Sequence, residues 1–67
     1  MAQGKIKIAG HNDWRDVAYT LLNGEVVITD PPGLISFISD REVHIQLEDG
    51  AIRRGFAHSG GHVVFTR

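Results

Sequence analysis

The sequence predicts a small, mainly β protein, an antiparallel barrel or roll of about six short strands with one short helix. Turn signals recur at short intervals and divide the 67 residues into strand-length segments. Several of these segments are rich in β-branched residues or alternate apolar with polar side chains. Tight turns join most neighbouring segments, which favours antiparallel pairing. A strongly twisted sheet of this size curls into a barrel or roll.

Strand-like segments account for most of the chain. The first, KIKIA, alternates lysine with isoleucine, so one face is basic and the other apolar. EVVITD and LISFIS are predicted strands on either side of a turn at residues 30–33, where two prolines cannot donate to a sheet. After a polar turn at residues 39–42 comes a hairpin, VHIQLEDGAIRRGF. The turn HSGG then leads into the last strand, HVVFTR.

The one short helix is predicted at about residues 13–22, after the first strand. Asn12 or Asp13 is suited to cap its N-terminus, and the glycine at position 24 is suited to end it. The apolar side chains between them fall on one helical face, formed by Trp14, Val17, Ala18, Leu21 and Leu22. The alternative is a strand in which alternate residues from 17 to 21 share one side.

The hairpin raises the question of where its two adjacent arginines point. A two-residue Asp49-Gly50 turn places Arg54 opposite Ile45 on an otherwise apolar face, and Arg53 on the polar face. A three-residue loop over residues 48–50, with a bulge, changes this register. Arg54 then either lies in solvent or is held in a concave wall or an interface, where it would bind a carboxylate or phosphate.

We expect a single domain over residues 1–67 with a small core. A domain of this length buries only about 60% of the surface of its unfolded chain. The chain has no cysteine, which excludes disulfides and thiolate zinc sites. Self-association is a common reinforcement for such a domain. The predicted core comprises Ile6, Ile8, Trp14, Val17, Leu21, Val26, Ile28, Phe37, Val43, Ile45, Leu47, Ile52, Phe56 and Val64.

The candidate site residues are basic side chains and histidines. The net charge is −1, with 7 basic and 8 acidic residues, so a nucleic-acid surface would require a local basic patch. The candidate binding residues are Arg54, Arg53, Arg41, Lys5 and Lys7. Two histidines flank a tight turn and would need a third ligand to hold a metal ion; the candidate ligands are His58, His62 and His44. No nucleophile stands in a recognisable catalytic motif, and neither catalytic residues nor a cofactor are predicted.

These observations favour a noncatalytic binding or assembly module that acts as a homo-oligomer through sheet edges or faces. A small RNA- or DNA-binding β protein that uses a local basic surface is a second hypothesis. An inhibitor or accessory protein of a phage or mobile element is a third, and a small enzyme with a histidine-based site is a fourth. No apolar run approaches the roughly 18 residues of a membrane span, and the N-terminus has no hydrophobic signal region. We therefore expect a cytoplasmic protein without membrane association.

Overall fold

The computed structural model describes residues 1–66 and shows a closed barrel of six antiparallel strands with one short helix. The elements in chain order are β1 (Ala2–Ile8), β2 (Arg15–Leu22), β3 (Glu25–Asp30), α1 (Pro32–Ile38), β4 (Arg41–Gln46), β5 (Ile52–Ala57) and β6 (His62–Phe65). The predicted fold class, a small antiparallel β-barrel with one short helix, is confirmed. Among residues 1–66, no helix is long and apolar enough to cross a membrane.

Two three-stranded meanders make up the barrel. β1, β2 and β3 are neighbours in the sheet, as are β4, β5 and β6. The meanders join antiparallel along β1 and β4, through four residue pairs, and along β3 and β6, through two. A hydrogen bond from the Ile28 N–H to the Gly61 carbonyl, 2.9 Å long, extends the shorter pairing, between β3 and β6. The chain crosses from one meander to the other through α1, which packs against β3 and β4 at one end of the barrel.

β2 occupies the segment for which the sequence predicted a helix at residues 13–22, and that position of the helix is wrong. Val17 and Tyr19 are buried in the barrel, and β2 is paired with β1 on one side and β3 on the other. The Tyr19 hydroxyl accepts a hydrogen bond from the Glu48 N–H at 3.0 Å. Pairing along both edges, with β1 and β3, outweighs a weak local helix preference. The alternative interpretation, a strand, is the one that the structure adopts.

α1 (Pro32–Ile38) instead includes most of the segment LISFIS, residues 34–39, which the sequence predicted to be a strand. Pro32 stands in the first turn of the helix, where its missing N–H costs no hydrogen bond. Leu34 and Ile38 are four residues apart, share one face and are buried. A seven-residue helix is too short to be stable alone, so burial of this face at the barrel end holds it in place.

The core is the interior of the barrel, closed at one end by α1. It consists of Ile6, Ile8, Val17, Tyr19, Val26, Ile28, Leu34, Ile38, Val43, Ile45, Ala57 and Val63, and Leu47 packs against it partly buried. Seven of these were predicted as core and are confirmed: Ile6, Ile8, Val17, Val26, Ile28, Val43 and Ile45. Six core predictions are wrong, because Trp14 is only partly buried and the other five are exposed: Leu21, Phe37, Ile52, Phe56 and Val64.

Two glycines allow neighbouring strands of this narrow barrel to approach each other closely. A Cβ atom at Gly4 would lie against the Gln46 carbonyl oxygen and 3.0 Å from Tyr19 Cε1. A Cβ atom at Gly55 would lie 2.8 Å from Val63 Cγ1. A larger side chain at either position would force the adjacent strands apart.

Candidate functional site

A three-residue loop connects β4 and β5 and sets the register of the two adjacent arginines. The Leu47 N–H donates to the Ala51 carbonyl at 2.8 Å, and the Gly50 N–H donates to the Leu47 carbonyl at 2.9 Å. Gly50 has a φ of 91°, a conformation that favours glycine. The two-residue turn is therefore wrong, and the alternative three-residue loop is present. Its register places Arg54 opposite His44 and Arg53 opposite Ile45.

Three basic side chains stand side by side on the outside of the barrel, one each on β1, β4 and β5. Lys7 is paired with His44, and His44 is paired with Arg54. The residues that flank them in β1, β4 and β5 include Ile6, Ile8, Val43, Ile45 and Gly55, which are all buried. Because side chains alternate along a strand, these three face outward. We call Lys7, His44 and Arg54 the basic row. Within residues 1–66, neither Lys7 nor Arg54 forms a salt bridge.

Trp14 borders the basic row. It lies in the loop between β1 and β2, and its ring is partly exposed. The Lys7 ammonium nitrogen stands 5.4 Å from the centre of the Trp14 ring, which is a cation–π distance. The sequence predicted Trp14 as a core anchor, but the structure places it beside a charged surface residue.

Three of the five candidate basic residues share one side of the barrel, and the other two lie apart from it. Lys5 lies two residues before Lys7 on the same outer face of β1, so Lys5, Lys7 and Arg54 share one side of the barrel. The Arg53 guanidinium lies 3.7 Å from the centre of the Phe65 ring. The Arg41 guanidinium lies 6.0 Å from the centre of the Phe37 ring on α1. Arg53 and Arg41 therefore stand near opposite ends of the barrel and do not join the row.

An apolar surface lies next to the basic row. Phe56 on β5 and Val64 on β6 are directly paired on the outside of the barrel, 39% and 40% exposed. We call Phe56 and Val64 the apolar pair. Both were predicted as core residues, but the interior positions of β5 and β6 are taken by their sequence neighbours, including Gly55, Ala57 and Val63.

The three candidate metal ligands occupy different surroundings. His58 and His62 close the loop between β5 and β6, where the His58 N–H donates to the His62 carbonyl at 2.7 Å. The His58 ring stands edge-on to Phe56 with centres 5.0 Å apart, and His62 Nδ1 lies 3.6 Å from Glu25 Oε1. His44 belongs to the basic row. In the part of the chain that the structure describes, no three side chains of His, Cys, Asp or Glu are grouped to hold a metal ion.

A small, partly open pocket lies between β1, α1 and the loop that precedes β2. Its lining includes Ile8, His11, Asp13 and Leu34. Its cavity volume is about 30 Å³, which is enough for about one water molecule and too small for an organic substrate. The outer surface of the barrel is therefore a better candidate site than this cavity.

The outer face of β1, β4, β5 and β6 carries the basic row and the apolar pair on hydrogen-bonded strands, and Trp14 borders it from the loop between β1 and β2. Because its charged and apolar groups are exposed together, this face is the candidate binding surface of the described residues. Comparison with protein-family models, with curated proteins and with solved structures finds no match for this chain.

Proposed function

We propose that the protein is a noncatalytic binding module that self-associates through the outer face of β5 and β6. The observation that carries this proposal is the apolar pair. Single exposed apolar residues are ordinary on protein surfaces, but Phe56 and Val64 are directly opposite each other on paired strands. Together they offer a continuous apolar surface, and burying such a surface against a partner is favourable.

Closure of the barrel favours a face over an edge as the contact surface. Each strand has a neighbour on both sides, so the open strand edges that invite pairing with another chain are largely absent from the described residues. Outward side chains remain available. Among them, the apolar pair has the geometry of a sheet face that packs against another sheet.

A second copy of the chain is the partner that best fits this face. Next to the apolar pair stand acidic Glu42, which is paired with Phe56, and the imidazole of His58. A self-complementary interface needs such polar groups around an apolar centre. A standard interface covers about 800 Å² on each partner, roughly a fifth of the 4169 Å² of this chain.

The oligomeric state in solution tests this proposal. Sedimentation velocity and light scattering between about 1 and 100 μM should show a concentration-dependent dimer or larger closed oligomer. Phe56→Glu introduces a charge at the apolar pair and should yield a monomer. Phe37→Glu is the matched control, since Phe37 is 49% exposed but lies on α1, away from this face. Its oligomeric state should equal that of the wild type.

Two results would overturn the proposal. The first is a wild-type protein that stays monomeric and stable over the whole concentration range. The second is an oligomer that Phe37→Glu dissociates while Phe56→Glu leaves it intact, because the contact would then lie at the α1 end. Thermal unfolding of both variants shows whether they are folded, so a change in oligomeric mass can be told from a failure to fold.

A further inference from the structure

We propose that the basic row, together with Trp14, binds single-stranded nucleic acid. This surface lies beside the apolar pair but does not need self-association to form. Lys7, His44 and Arg54 come from sequence positions far apart and are brought together only by strand pairing. Neighbouring strands lie about 4.8 Å apart, so the row extends about 10 Å across the sheet. Lys5 continues the positive surface along β1.

The charges of this surface suit a phosphate backbone. Lys7 and Arg54 form no salt bridge with any residue from 1 to 66, so neither gives up an ion pair when it contacts a phosphate. The arginine guanidinium binds phosphate oxygens through two parallel hydrogen bonds, and the lysine ammonium binds them as a point charge. His44 between them supplies a further hydrogen-bonding group.

An aromatic ring at one end of the row supplies a stacking surface for bases. Trp14 lies under the Lys7 ammonium at that end. Basic residues that track the backbone, interleaved with aromatic rings for unpaired bases, are typical of single-strand binding surfaces.

A single strand fits this surface better than a duplex. Duplex DNA is commonly read by a helix or a β-ribbon in the major groove. The helix α1 has only seven residues and packs at the end of the barrel, apart from the basic row. The row itself lies across strands of a closed barrel and does not project as a ribbon. Unpaired bases, in contrast, are free to stack on Trp14.

The acidic residues near the row limit its length. Glu42 lies two residues before His44 on the same face of β4, and Asp16 is paired with Lys5. Asp13 forms a salt bridge with Arg15, with 3.0 Å between the charged atoms. The part of this surface without an acidic side chain is thus the short row from Lys7 to Arg54, which suits a few nucleotides of a flexible strand.

Trp14 is the single tryptophan of the chain and reports directly on binding. Titration of the wild type with a twelve-nucleotide oligothymidine should quench Trp14 fluorescence. Anisotropy of the same oligonucleotide with a terminal fluorescein gives the affinity. Each phosphate contact in a single strand contributes about −0.7 to the slope of log affinity against log salt. Contacts from Lys7 and Arg54 predict a slope of about −1.4, and a contact from Lys5 makes it steeper.

Adjacent arginines provide a matched pair of variants. Arg54→Gln and Lys7→Gln should each weaken binding by about three- to tenfold at low salt and reduce the slope by about 0.7. Arg53→Gln removes the same charge one residue away, outside the row, and should leave the affinity within about twofold. Trp14→Ala should weaken binding by about tenfold or more, with the salt slope retained, because stacking does not release counterions.

Several results would overturn the inference. If Arg53→Gln loses as much affinity as Arg54→Gln, the oligonucleotide is held by nonspecific charge attraction and not by the basic row. If saturating oligonucleotide leaves Trp14 fluorescence unchanged, bases do not stack on Trp14. Polyglutamate that competes as well as the oligonucleotide would assign the row to an acidic protein partner. Sedimentation of Lys7→Gln and Arg54→Gln in parallel separates loss of nucleic-acid binding from loss of self-association, and thermal unfolding shows that the variants are folded.

Discussion

Arg53 and Arg54 are adjacent in the chain but lie on opposite sides of β5. The Arg53 guanidinium stacks 3.7 Å from the centre of the Phe65 ring, and Arg54 is paired with His44 on the outside of the barrel. The three-residue loop between β4 and β5 causes this division, because a shift of one residue in register exchanges the two faces of a strand. The two arginines therefore have different roles, one in packing and one in surface charge.

Replacing these two arginines should affect stability differently. Arg53→Gln removes the cation–π contact with Phe65 and should lower the free energy of unfolding by about 0.5–1 kcal/mol. Arg54→Gln should change it by less than about 0.5 kcal/mol, because Arg54 is exposed and forms no salt bridge with the described residues. Urea denaturation followed by tyrosine and tryptophan fluorescence measures both. Equal losses in the two variants would contradict the division of roles.

The Gly4 position should not tolerate even a methyl group. Gly4→Ala places a Cβ against the Gln46 carbonyl oxygen and 3.0 Å from Tyr19 Cε1, so β1 and β4 must move apart. We expect a loss of about 1–3 kcal/mol in the free energy of unfolding. Gly33→Ala is the control, since no atom lies within 4 Å of its added Cβ.

The Gly33→Ala control should be neutral or more stable by about 0.5–1 kcal/mol, because alanine is the better helix former. Chemical denaturation of the two variants under the same conditions gives the comparison. A Gly4→Ala variant as stable as Gly33→Ala would mean that β1 and β4 are not in close contact at Gly4.

The α1 helix should contribute to stability through one face only. Ile38 is 1% exposed at the barrel end, and truncation to alanine should cost about 2–5 kcal/mol by leaving a cavity. Phe37→Ala at the neighbouring, exposed position is the control and should cost less than half as much. Thermal and urea unfolding measure the difference. A larger loss from Phe37→Ala would mean that the helix packs by its other face.

The sequence was a good guide to those features that depend on local chemistry. Alternation in KIKIA correctly places Ile6 and Ile8 inside and the lysines outside. The loops at residues 48–50 and 59–61 lie where glycines indicated turns, and Gly50, Gly60 and Gly61 all have positive φ values. Of the candidate binding residues, Lys5, Lys7 and Arg54 share a surface, although nothing local in the sequence links β1 to β5.

The sequence was a poor guide where two local structures were both acceptable. Residues 15–22 carry apolar positions that fit a helical period as well as an alternating one, and LISFIS fits a strand as well as a helix. Strand pairing on both sides decided the first case, and the need to close the barrel end with Leu34 and Ile38 decided the second. The exposure of Phe56 and Val64 also followed from pairing, because a register error of one residue turns a surface position into a core position.

The sequence by itself determined the antiparallel β class and the position of most turns. These follow from side-chain alternation and from glycine and proline, whose effects act over a few residues. Only the tertiary structure decided which segment is the helix, which arginine faces outward, and that Lys7, His44 and Arg54 stand in one row. The physical reason is that local patterns do not specify which strands pair, in which register they pair, or which segment packs against the barrel end.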